Sequence, residues 1–144
     1  MRRLALFLCA LCLALPAIAA DYAKPERKEV FGETTVYYSA ITSSYLQPDV
    51  AAAAGLIRSK NQGVLNIAAI KAGKPLIANV TGTVKDLTGR NLALTFKQIA
   101  ENDAVYYIAQ FPIVQQETLT FSINVKAGEE THSLSFDQEL FPGE

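Results

Sequence analysis

The stretch Glu117–Lys126, ETLTFSINVK, alternates without a fault: Leu119, Phe121, Ile123 and Val125 fall on one side, and Thr118, Thr120, Ser122, Asn124 and Lys126 on the other. A period of two fits a pleated strand with one wet face and is incompatible with a helix. The pattern recurs from Gly63 onward. NLALTFKQI turns Leu92, Leu94 and Phe96 inward as one strand, and THSLSFDQEL does the same with His132, Leu134, Phe136 and Leu140. PLIANVTGTV presents Leu76, Ala78, Val80 and Val84, with Gly82 read as a bulge. AVYYIAQF is apolar on both faces, as expected of a central strand. With GVLNIAAI and an N-terminal strand around ETTVYYSAI, seven strands are expected.

Their connections are short and rich in turn formers: AGKP at 72–75, LTGRN at 87–91, AENDA at 100–104 and KAGEET at 126–131. Short links join antiparallel neighbours. In FPIVQQE, Pro112 stops one strand and the link crosses to the other sheet. The expectation is an all-β, immunoglobulin-like antiparallel sandwich of about seven strands in one domain over residues 20–144.

One segment departs from this pattern. LQPDVAAAAGLIRSKNQG, residues 46–63, reads as a short helix between the first and second strands. Pro48 suits the first helical position, Asp49 complements the helix dipole, and four alanines follow. Gly55 either ends the helix or sits within a longer one closed by Arg58; the short version is favoured. Val50, Ala54 and Ile57 form its expected inward stripe.

The N-terminus reads as an export signal. Arg2 and Arg3 precede an apolar run from Leu4 to Leu15, and Pro16-Ala17-Ile18-Ala19 supplies a small-x-small cleavage pattern, placed after Ala19. The run is shorter than the roughly 20 residues that span a bilayer. Both cysteines, Cys9 and Cys12, lie inside it and follow leucines, which disfavours lipid attachment. The chain after cleavage therefore has no thiol for a disulfide or a metal. An exported domain without disulfides points to the bacterial periplasm. The lead-in from Asp21 to Lys28 is charged and aperiodic, and reads as an arm.

Cleavage removes two of the 13 basic side chains and none of the 14 acidic ones, leaving a formal charge of −3. Scattered basic residues on an acidic chain argue against nucleic acid.

Several of these segments carry a family resemblance: Tyr37-Tyr38, SYLQPDVA, LIRSKNQGVLNIAAI, GKPLIANVTGTVKDL and FSINVKAGEETHSLSFDQELF. Together they resemble the small exported proteobacterial proteins grouped as domain of unknown function 4426. The sharpest matches are Pro48, Arg58-Ser59, Gly63 and Leu65-Asn66-Ile67, whereas the alanine run departs from the larger residues of that family's helix. The resemblance implies export and an immunoglobulin-like fold, and no activity.

Chemistry-bearing residues are sparse. His132 is the sole histidine, and alternation sets it on the opposite face from Ser133, Ser135 and Asp137, so no nucleophilic triad forms along that strand. One His and no Cys supply neither a zinc nor a copper set, and no cofactor motif is present. RSKNQG gathers Arg58, Lys60 and Asn61 before a glycine, a pattern able to cradle an anion or to serve as an ordinary turn. Tyr37/Tyr38 and Tyr106/Tyr107 each place one ring inward and one outward, and the outward rings with Tyr45 could form an aromatic patch. The leading expectation is a non-enzymatic interaction module docking another envelope protein, with Tyr45, Arg58, Lys60 and Asn61 as contacts. The alternative is a small anionic ligand held by the loop after the helix.

Overall fold

The computed structural model describes residues 27–143; the signal segment 1–19 and most of the lead-in lie outside the described residues. Two antiparallel sheets face each other as a sandwich. The larger contains β1 (Lys28–Phe31), β2 (Thr34–Thr42), β3 (Gln62–Lys71), β7 (Lys97–Glu101) and β8 (Ala104–Pro112) in the order β1-β2-β3-β8-β7, with the two-residue β4 (Lys74–Pro75) beside β3. The smaller contains β5 (Asn79–Lys85), β6 (Asn91–Leu94), β9 (Glu117–Ala127) and β10 (Glu130–Leu140) in the order β10-β9-β5-β6.

The alternating residues meet between the sheets. Leu119, Phe121, Ile123 and Val125 of β9, with Leu134, Phe136 and Leu140 of β10, pack against Val36, Leu65, Ile67, Ala69 and Phe111 across the interior. Phe121 is the hub: Phe111 meets it edge-on at 5.1 Å and Phe136 stacks on it at 5.0 Å. Tyr38 continues the stack onto Phe136 at 4.3 Å. Arg27 covers the end of this row, its guanidinium 5.0 Å from both the Tyr38 and Phe136 ring centres while it donates to the Gln138 carboxamide and the Asp137 carbonyl. Offset and edge-on aromatic pairs each stabilise by roughly 0.5–1.5 kcal/mol beyond the area they bury.

Among the described residues there are ten strands rather than the expected seven. Lys28–Phe31 pairs with β2 through a two-residue turn at Gly32, whose φ of +62° suits the tight hairpins that match strand twist. Lys28, the last residue of the expected arm, thus begins an edge strand that ends where the chain reverses at Gly32. NLALTFKQI is two strands, not one: β6 pairs with β5 in one sheet and β7 with β8 in the other. The apolar positions run 92, 94 and 96 and then slip to 99, and the crossing occurs at that slip. Leu92, expected inward, is exposed at the sheet edge. The third addition is the short β4.

Gly82 is not a bulge. Its register runs continuously opposite Leu94 and Ile123. A Cβ there would lie 2.7 Å from both Ile123 Cδ1 and the Ser122 carbonyl oxygen, so the absence of a side chain permits close packing of adjacent strands. Pro112 does end β8, and Ile113 buries its side chain on the way across to β9.

A Cβ on Gly63 would overlap the Phe111 ring, which the Phe121 contact holds in place. Gly63→Ala is therefore expected to destabilise the fold by about 1–3 kcal/mol, as overpacked cores do. The check is urea unfolding, with a lowered midpoint and an unchanged m-value.

Candidate functional site

Between β2 and β3 the chain forms a 3₁₀ turn (Ser43–Tyr45) and a six-residue helix, α1 (Pro48–Ala53). The helix ends as the shorter reading requires. Gly55 takes a φ of +68°, its N–H reaches the Ala52 carbonyl at 3.1 Å, and the Leu56 N–H reaches the Ala51 carbonyl at 2.8 Å. This reciprocal pair satisfies carbonyls that would otherwise be orphaned at the helix end. Lys97 from β7 adds an ammonium contact to the Ala54 carbonyl at 3.4 Å.

The buried stripe differs from expectation. Ala51 and Ala54 are 2% and 5% exposed, whereas Val50 and Ile57 are 50% and 78% exposed. Ile57 lies beyond the helix end and so falls outside its periodicity. Ala51 and Ala54 take the buried side of the helix, which leaves Val50 outward.

The loop that follows is tied down on three sides. Ser43, fully buried, accepts from the Ser59 N–H and donates to the Ser59 carbonyl, both at 2.9 Å. The Asn61 carbonyl receives the Ile113 N–H, and the Lys60 carbonyl receives the Gly143 N–H, each at 2.8 Å. The Thr42 hydroxyl donates to the Phe141 carbonyl at 2.6 Å. Arg58 is exposed and donates to the Ser44 carbonyl at 2.8 Å. Lys60 and Asn61 are exposed, and Tyr45 is 66% exposed. An anion cradle needs free backbone amides. Here the N–H groups of Ser59, Asn61 and Gln62 already donate to Ser43 Oγ, Ser59 Oγ and the Ser59 carbonyl.

The tyrosine pairs split as the alternation requires. Tyr107 is buried, its hydroxyl accepting from the Ala78 N–H at 2.8 Å and donating to the Leu76 carbonyl at 3.3 Å, and Tyr38 joins the core stack. Tyr37 and Tyr106 stand on the outer face of the larger sheet, where they line a cleft of about 610 Å³ with Ser39, Asn66, Ala68 and Ile70. A second cleft of about 400 Å³ shares Asn66 and Tyr106 and extends to Val50, Ala53 and Ile108 beneath α1. Tyr45 is not among the residues lining either cleft. The trough escaped sequence reasoning because it depends on strand order, which places Ala68 between two tyrosines from strands distant in sequence.

His132 faces inward as expected. It stacks on Phe31 at 4.8 Å, with Nε2 3.6 Å from a Glu130 carboxylate oxygen. Ser133 and Asp137 project from the other face of β10, where they bond to Asn124 and Thr120. Among the described residues, no group of three or more His, Cys, Asp and Glu side chains is placed to hold a metal ion.

At one end of the sandwich, Asp86 organises the β5–β6 turn. Its Oδ1 accepts from the Thr88 hydroxyl at 2.6 Å, the Thr88 N–H at 3.0 Å and the Arg90 N–H at 2.9 Å, with Arg90 Nε 3.6 Å from Oδ2. The Thr88 hydroxyl is the main reason the Asp86 carboxyl is held below its ordinary value, and the backbone bonds and Arg90 act in the same direction.

Ser43→Ala leaves the Ser59 N–H unpaired and its carbonyl with only the Gln62 N–H, and should cost about 1–3 kcal/mol, with faster hydrogen exchange at the Ser59 amide as the specific readout. Thr88→Val should raise the Asp86 pKa toward the ordinary carboxylate range in an NMR titration. Because the folded-state pKa is depressed, Asp86's stabilisation is present at neutral pH and disappears as the pH falls through that depressed value; the variant loses it at a higher pH.

Among the described residues, no helix is long and apolar enough to cross a membrane. No curated protein matches the sequence. A crystal structure of a DUF4426 family protein from Pseudomonas aeruginosa PAO1 is 49% identical, with a TM-score of 0.76, over 85% of this chain and 100% of that one. FetP of uropathogenic Escherichia coli strain F11 shares the fold at lower identity. A copper-bound single-residue variant of it is 14% identical with a TM-score of 0.60, over 82% of this chain and 95% of that one. Its "as isolated" form is 12% identical with a TM-score of 0.61, over 83% and 95%. The family model described as domain of unknown function (DUF4426) matches residues 28–143. With that match spanning both sheets and the inserted helix, the chain belongs to the DUF4426 family.

Proposed function

We propose that this chain is a non-enzymatic binding module of the bacterial periplasm, which docks an envelope protein through the segment between β2 and β3. The observation that carries the reading is the exposure of Tyr45, Val50 and Ile57 on a backbone pinned by Ser43, the Lys60–Gly143 bond and the α1 cap. Large apolar side chains held outward on an ordered backbone lose little conformational entropy when a partner covers them. The signal-like N-terminus supports the compartment.

The anionic-ligand reading has weaker support, since the Ser59 and Asn61 amides already donate within the loop and the Arg58 guanidinium holds the Ser44 carbonyl. Copper, named for FetP, also lacks support in this chain. Residues 13–144 contain no Cys or Met and a single His, whereas soft copper sites draw on thiolate and thioether ligands.

In vivo crosslinking of the tagged protein followed by affinity capture should recover one reproducible envelope partner. That partner should be lost when Tyr45→Ala and Ile57→Ala are combined, with the thermal midpoint unchanged. Recovery of no specific partner, or of the same partner by the double variant, would reject the docking role.

A further inference from the structure

The two ends of the sandwich are built from different residues. At one end the hairpins close through two-residue turns at 32–33, 72–73, 102–103 and 128–129. These turns hold Glu33, Asp103 and Glu129 and no apolar side chain larger than a methyl group. The opposite end lies where Pro112 meets Gln62, Leu140 meets Glu117 and Lys85 meets Asn91. Its connections carry Leu87 in the β5–β6 turn, Val114 in the link from β8 to β9, and Phe141 just after β10. Leu87 and Val114 are 74% and 77% exposed, Phe141 is 48% exposed, and none of the three belongs to the core.

These side chains share one surface. The Gly143 N–H bonds the Lys60 carbonyl, which ties the tail of Phe141 to the loop ahead of β3, and the next carbonyl, of Asn61, receives the Ile113 N–H beside Val114. A cleft lined by Val114, Thr88 and Arg90 joins that link to the turn of Leu87. Basic side chains stand among them: Lys60 and Lys85 are exposed, and Arg90 is largely so. The nearby carboxylates are engaged or half-buried. Asp86 holds Thr88 and Arg90, Glu139 receives the Gln116 carboxamide, and Glu117 is half-buried. Asp49 lines the outer cleft with Glu101 instead.

Exposed apolar clusters mark protein or membrane contacts. Here the apolar groups project from three separate connections with a cleft between two of them, rather than forming one flat face. A fluid surface receives such tips without a matching hollow for each, and long basic side chains around them reach phosphates at the interface. We propose that this end of the sandwich seats on an anionic phospholipid surface. Leu87, Val114 and Phe141 enter the boundary between headgroups and acyl chains, to a depth of about 5–10 Å. Lys60, Lys85 and Arg90 meet the phosphates, and the acidic turns at the far end point away from the negative surface. Tyr45, Val50 and Ile57 take no part, so lipid seating and the docking of an envelope protein stand or fall separately.

The test is cosedimentation of the purified protein with vesicles of phosphatidylethanolamine and phosphatidylglycerol, alongside vesicles of phosphatidylcholine alone. The protein should partition onto the phosphatidylglycerol-containing vesicles in preference to the others. Combining Leu87→Ser and Val114→Ser should weaken that partition at least roughly tenfold, the worth of one apolar side chain withdrawn from water, with the thermal midpoint unchanged. Lys60→Glu with Lys85→Glu should abolish the preference for phosphatidylglycerol. L87W gives a chain that otherwise has no tryptophan a reporter whose emission should move to shorter wavelength on the same vesicles. The assignment is overturned by an absence of cosedimentation, by undiminished binding of the Leu87→Ser/Val114→Ser variant, or by an unshifted emission from bound L87W. It is equally overturned if Leu87→Ser/Val114→Ser abolishes crosslinking to an envelope protein while the unaltered protein ignores the vesicles, which would assign the tips to a protein.

Discussion

The contact on which the rest of this molecule depends is the aromatic row through its interior. Phe111, Phe121, Phe136 and Tyr38 come from β8, β9, β10 and β2, so the row ties the two sheets together through rings whose mutual angles are specific. A one-residue slip of any contributing strand would send its ring to solvent. The row therefore selects one register, and that register determines what the outer faces display. Tyr37 and Tyr106 face outward because Tyr38 and Tyr107 are needed within.

Much of the fold could be read from the chain because β9 and β10 alternate cleanly over eleven residues each. The same parity correctly sends His132 inward and its serine and aspartate neighbours outward. Legibility ended where parity breaks or the segment is very short. The slip between Phe96 and Ile99 looked like the end of one strand, although it marks passage between sheets. The four residues ahead of Gly32 offered too few positions to establish a period.

The inserted helix misled for a different reason. A six-residue helix has less than two turns in which to show a stripe. Ala51 and Ala54 take the buried side, Val50 stays outward, and Ile57 lies beyond the helix end. The outer trough could not be derived at all from local pattern: Ala68 and Ser39 are ordinary in sequence, and only the strand order brings them together with Tyr37 and Tyr106.

The hydrogen bond from Thr42 to Phe141 joins positions 99 residues apart, and the Lys60–Gly143 bond likewise ties the middle of the chain to its far end. A chain made from its N-terminus onward has β2, α1 and the following loop in place as polymer long before the residues that clamp them exist. Until β10 and the tail arrive, Tyr45, Val50 and Ile57 sit on a segment with no such clamp, beside a core still missing Phe136. Long-range closures of this kind slow folding and lengthen the time for which apolar segments stay open to the wrong contacts. The exposed segment thus becomes a defined surface only as a late event in the life of the chain, and a holding factor that shields it during synthesis and transport would meet it in a different shape from any mature partner.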